Sequence, residues 1–194
     1  VKELNKISLR KQRVAIAEDV IKQIRSEQLV CTPGVWAEIN LKRSKTTSLR
    51  DILVEERPDC RACGIGACFL SWVRLANEVS NPGLGLMQMT IRQDTHLYDE
   101  KHRHIDGMRK TLIRIFGFEY FLIEVAFETG AGEYGIPFYD DDWEKLEEEC
   151  NRSKRTIKRR FETAKDFGWQ FADPRNRMLA IMNNILDNDG TFKP

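Results

Sequence analysis

Long hydrophobic runs are missing from this chain. The longest nearly uncharged apolar stretch, Ala62 to Val73, falls well short of the ~18 residues a membrane span needs, so no bilayer-crossing segment is expected. Glycine and proline are scarce, 12 and 6 of 194 residues, which excludes a fibrous chain. An excess of one charge is also lacking: 31 Lys+Arg oppose 30 Asp+Glu. With 41% hydrophobic residues, the sequence is too apolar and too neutral to stay disordered. The opening residues carry Lys2, Glu3, Lys6, Arg10, Lys11 and Arg13, so no signal-peptide core is expected there. No G-x-S-x-G, H-E-x-x-H or Walker-type string occurs, so the sequence predicts no enzyme, no cofactor and no metal. Five cysteines, an odd number in a chain able to build its own core, predict reduced thiols in a cytosol rather than a disulfide scaffold.

What is present is helical periodicity. Val14, Ala17, Val20, Ile21 and Ile24 recur at helical spacing and predict an amphipathic helix over residues 8–29, ended by Thr32-Pro33-Gly34. Val35, Ala37, Ile39 and Leu41 then alternate with polar or bulky neighbours, the period of a half-buried strand. Leu49 to Glu55 fits either its partner strand or a helical turn. Cys63 to Val79 is apolar nearly all round and predicts a central buried helix. Two more helices follow, Ile105 to Phe116 and Phe118 to Glu128, parted at Gly117. In the last helix Asp173 is the cap, Pro174 fits the first position, and Met178, Ile181, Met182 and Ile185 form the stripe. The expected fold is mainly α, a compact helical domain with a small β element near residues 35–55. Its expected parts are a helical core over 1–137, a charge-segregated segment over 138–172, and a C-terminal helix over 173–194 packing back on the core.

The charge-segregated segment is the strongest functional signal. Residues 140–149 (DDDWEKLEEE) hold seven acids and one lysine, whereas residues 152–160 (RSKRTIKRR) hold six bases and no acid. Two structures fit. One helix from about Trp143 to Phe167, capped by Asp142, would put every charge on its favourable side of the macrodipole. Alternatively the chain breaks at Cys150-Asn151-Arg152 and Ser153 caps a second helix. In that form LEEECNRSKRTIKRR resembles the helix-turn-helix family of DNA-binding motifs. Leu146 and Cys150 take apolar positions of its first helix, Asn151 its turn and Ser153 its cap; Arg152 departs from the usual apolar residue. A helix starting at Ser153 places Lys154 and Arg155 against the dipole, which costs a few tenths to about 1 kcal/mol per charge unless an anion offsets it. A phosphate is the expected anion. The resemblance implies that Arg152, Lys154, Arg155, Lys158 and Arg159 bind nucleic acid.

The cysteines and carboxylates carry weaker signals. Cys60-x-x-Cys63 has the spacing of half a zinc site, with His102 and His104 farther on, but a second cysteine pair is missing. Core packing is the expected role of these thiols, and of Cys68, ahead of a metal or redox role. Gly64 and Gly66 point to a neighbouring backbone pressed close, or to a ragged helix start. Glu124 shares a helix face with Tyr120 and Glu128 and reads as a core-edge carboxylate rather than an acid–base catalyst. Asp94 and His96, two residues apart, do not share a face. Asn183, Asn184 and Asn188 read as fastening the C-terminus.

Three strings, CRACGIGACFLS (Cys60 to Ser71), FGFEYFLIEVAFE (Phe116 to Glu128) and RMLAIMNNILDNDGTFKP (Arg177 to Pro194), resemble pieces of accessory proteins carried by bacteriophages and prophages. That resemblance implies a bacterial cytoplasm and no particular activity. The expected role is a regulatory nucleic-acid binder. The alternative is a non-enzymatic inhibitor of a bacterial host protein machine such as a defence system.

Overall fold

A computed structural model describes residues 4–40, 49–76, 88–91, 97–98, 104–105, 107–129, 147–148 and 152–194. The first helix, α1 (Leu9–Arg25), starts where Ser8 accepts the Lys11 N–H at 3.4 Å. It buries Ile16, Ala17, Val20, Ile21 and Ile24 along one stripe. It ends at Arg25, earlier than the periodicity suggested, because Glu27 turns into the left-handed region and the chain re-enters as strand β1 (Leu29–Cys31).

Strand β2 (Ala37–Asn40) alternates as expected, with Ala37 and Ile39 buried. Its partner is not Leu49 to Glu55, which is helical: α2 (Leu49–Asp51) runs into a π-turn over Ile52–Glu56. The partner is β3 (Asp59–Ala62), which carries the first cysteine of the pair. Strand β4 (Gln88–Ile91) completes a sheet of order β1-β3-β2-β4, parallel between β1 and β3 and antiparallel elsewhere. Ala37 opposes Ala62 and Ile39 opposes Cys60 on the buried face, while Glu38 and Arg61 pair at 3.2 Å on the outer one. A second pairing joins β5 (Leu97–Tyr98) to β6 (His104–Ile105).

The sheet lies beside α3 (Gly64–Leu75), buried from Gly64 to Val73 and so the centre of the core, as its all-round apolarity predicts. Cys63 caps α3 through its sulfur, which accepts the Gly66 N–H at 3.4 Å. At Gly66 a side chain would collide with the Trp36 carbonyl, so the glycine marks a close backbone approach. α1 is tied to α3 by Arg74 and Asp19 at 2.9 Å, both largely shielded from water.

Helices α4 (Met108–Phe116) and α5 (Glu119–Glu128) are parted at Gly117, whose φ of +60° favours glycine. α6 (Lys154–Trp169) packs chiefly on α5, burying Ile157, Phe161, Ala164 and Gly168. The Phe161 ring stacks on Phe118 with centroids 5.9 Å apart. α7 (Pro174–Asp187), capped by Asp173 at 2.9 Å to the Asn176 N–H, packs on α1 and α5. The fold is a compact, mainly α structure with a small sheet. The C-terminus is fastened as the asparagines suggest: Asn184 exchanges two 2.8 Å hydrogen bonds with the Lys193 backbone, and Phe192 is fully buried.

Among the described glycines, the tightest helix–helix contact is at Gly168, where a Cβ would overlap the Ala126 carbonyl of α5. Gly168→Ala therefore forces α6 away from α5. It should cost about 1–3 kcal/mol, the usual penalty of overpacking, read as a lowered urea midpoint. An unchanged midpoint would show that α6 is not clamped at this point.

Candidate nucleic-acid interface

The candidate surface begins at the chain break. Arg152 and Ser153 are not helical, and Ser153 takes an extended backbone (φ −68°, ψ 146°) directly before Lys154. A single helix running through this point is therefore not what forms. Leu146, Cys150 and Asn151 lie outside the described residues, so the first half of the helix-turn-helix resemblance has no geometry to compare. Within the described residues, α6 packs on α5 and on Phe118.

The electrostatic expectation needs a correction. Lys154 and Arg155 do sit in the first turn against the dipole, but the offsetting anion belongs to the chain itself. Glu147 accepts the Lys154 N–H through its carboxylate and the Arg152 N–H through its carbonyl, the latter at 3.2 Å. A carboxylate at that end contributes about 0.3–1 kcal/mol, up to about 2 when partly buried. No external phosphate is required for α6 to begin here. Ser153 occupies the cap position, yet its hydroxyl bonds Thr156 Oγ1 at 3.0 Å instead of a backbone N–H.

Of the five cations assigned from sequence, Arg152, Arg155, Lys158 and Arg159 are exposed and Lys154 is half-buried. Arg152 lies over the Phe118 ring, 5.3 Å from its centroid, which gives this basic residue an aromatic contact where the motif has an apolar one. The face opposite these cations is sealed by Ile157, Phe161, Ala164 and Gly168, so their orientation toward water follows from the packing. Sequence reasoning missed Glu147, submerged in a run of acids, and Trp169, 57% exposed at the end of α6. It also missed Arg177, although a basic residue four positions before Ile181, within the α7 stripe, was a usable signal.

The cysteine and carboxylate candidates converge elsewhere and are shielded. Burial pushes the thiols of Cys31 and Cys68 up to about 12 and that of Cys60 up to about 11, and it raises Cys63 further. Thiols held in their neutral form are poor nucleophiles and poor metal ligands. Cys63 feels the nearby charge of Glu128, whose carboxylate accepts the Gly34 N–H at 2.9 Å. Glu124 stands one turn earlier on α5, half-buried. Burial and the charge of Glu128 push it up to about 7, and Arg109 pulls it back. Asp94, His96 and His102 lie outside the described residues. His104 is placed only as part of β6.

Two consequences are measurable. Glu147→Ala removes the anion from the start of α6 and should destabilise the protein by about 0.5–1 kcal/mol at low salt. The loss should shrink at high salt, as paired urea titrations would show. The second concerns Glu124, whose folded pKa lies above its ordinary 4.5. The folded state therefore holds the extra proton. The associated stability is complete below pH 4.5 and is lost as pH rises through about 7. Glu124→Gln should flatten that decline and leave the variant on the order of 1–3 kcal/mol more stable than wild type at alkaline pH. Parallel stability–pH curves for the two proteins would contradict it. No helix among the described residues is long and apolar enough to cross a membrane. Compared with known proteins, the chain matches no family model, no curated protein and no solved structure.

Proposed function

We propose that this chain is a phage-type accessory protein that binds nucleic acid through the first two turns of α6, in a regulatory role in a bacterial cytoplasm. The observation that carries the reading is the split of α6 into two faces. Ile157, Phe161, Ala164 and Gly168 are buried against the core, while Arg155, Lys158 and Arg159, with Arg152 just before the helix, are exposed together. Because Glu147 already satisfies the helix start, the rod is preformed, and phosphate contacts need not pay for ordering it.

A near-neutral chain gains little from long-range attraction, so binding rests on these local contacts. Three or four phosphate contacts give a slope of log K against log salt of about −2 to −4. The test is fluorescence anisotropy with labelled oligodeoxynucleotides across a salt series. Arg155→Glu/Arg159→Glu should weaken binding at least about tenfold at low salt and reduce the magnitude of the slope by about 2. Superimposable curves for wild type and variant would end this reading. The second reading, a protein-binding inhibitor, draws on Glu162 and Asp166, acids exposed beside the cations. It would be favoured by a stoichiometric partner retained from bacterial lysate after nuclease treatment.

A further inference from the structure

The outer surface of α6 carries more than cations. Trp169 is 57% exposed, the most exposed of the large apolar side chains among the described residues. Its position is fixed. Gly168 is pressed against the Ala126 backbone, and the Gly168 carbonyl accepts a hydrogen bond from Arg177 Nε at 3.2 Å. The turn that buries Gly168 directs the next residue outward. Lys154, Lys158, Lys165 and Trp169 follow one another at steps of four, seven and four, which keeps them along one flank of the helix. From Lys158 to Trp169 the flank runs about 16 Å at 1.5 Å per residue.

We propose that α6 takes single-stranded rather than duplex nucleic acid, with Trp169 as the platform on which an unpaired base stacks and Lys158 and Lys165 as the phosphate track leading to it. This rests on the reading of α6 as a nucleic-acid surface and goes beyond it by naming the strand state. An indole on the outside of a rigid helix meets a base face only when that base is unpaired, because a duplex presents base edges in its grooves and hides the faces. The acids on the same surface point the same way. Glu162 and Asp166 interrupt the cations of α6, which opposes the fixed phosphate rows of a duplex. A flexible strand can follow the lysine flank around them.

The experiment titrates the intact protein with a labelled oligothymidylate and with a mixed-sequence duplex of equal length at low salt, using anisotropy and quenching of tryptophan fluorescence. The expected result is preference for the single strand, with quenching in wild type that Trp169→Ala abolishes. That variant should bind the single strand about five- to a hundredfold more weakly, with its duplex affinity unchanged. Trp169→Phe, which keeps a stacking face, should recover most of the affinity. Trp169 is exposed, so far-ultraviolet circular dichroism of both variants should match wild type. Equal affinity for duplex and single strand, indifferent to Trp169→Ala but lost in Arg155→Glu/Arg159→Glu, overturns this inference and leaves the basic-helix reading intact. Binding of neither oligonucleotide overturns both.

Discussion

A single buried guanidinium holds the candidate surface in place. Arg177, with no solvent exposure, donates to the Phe127 carbonyl at 2.7 Å, to Gly168 at 3.2 Å, to Phe171 at 2.7 and 3.0 Å, and to Ala172 at 3.2 Å. Phe127 and Gly168 lie at the C-terminal ends of α5 and α6, where unpaired carbonyls concentrate negative potential. One cation therefore closes two helices and the turn into α7. Burial lowers its pKa while Glu128 and Asp173 raise it again, and an arginine in such surroundings remains charged. Without it, the buried Phe127 carbonyl would lose this donor and the turn into α7 its tie to α5 and α6, an expensive change in a dry core.

That closure, together with the fit of Gly168 against Ala126, sets the rotation of α6 about its own axis. A helix this amphipathic has one stable orientation on α5, with Ile157 and Phe161 inward. The cations on its first two turns and the tryptophan at its end are consequences of that orientation. Glu147 makes the arrangement self-sufficient by balancing a helix start that would otherwise repel its own lysine and arginine. A surface built this way is a finished shape before any ligand reaches it.

The other polar concentration in the core has the opposite character. Cys63, Glu128, Glu124 and Gly34 join the start of α3, the last turns of α5 and the loop before β2. Desolvation dominates there: thiols and carboxylates are both driven toward their neutral forms. With Cys63 only 4% exposed, the cluster reads as a hydrogen-bonded joint between elements. The cysteine pair follows the same logic, one residue in a β3 position facing the core and the other capping α3.

The amino-acid order alone determined whatever depends on neighbours within a turn or two. The α1 and α7 stripes, the all-round apolarity of α3, the Asp173 cap, the Gly117 break and the alternation of β2 all follow from local periodicity and local hydrogen bonding. The pairing of β2 with β3 was not legible, because strand partnership depends on which apolar face reaches which across the intervening α2. The role of Glu147 was hidden for a related reason: in a run of seven acids nothing local distinguishes the one that bends back to an N–H seven residues on. Tertiary packing alone decided which groups Arg177 binds inside and that Trp169 lies outside. One guanidinium found a set of converging helix ends to satisfy it, and one indole was left on the side of a helix whose other side was already occupied.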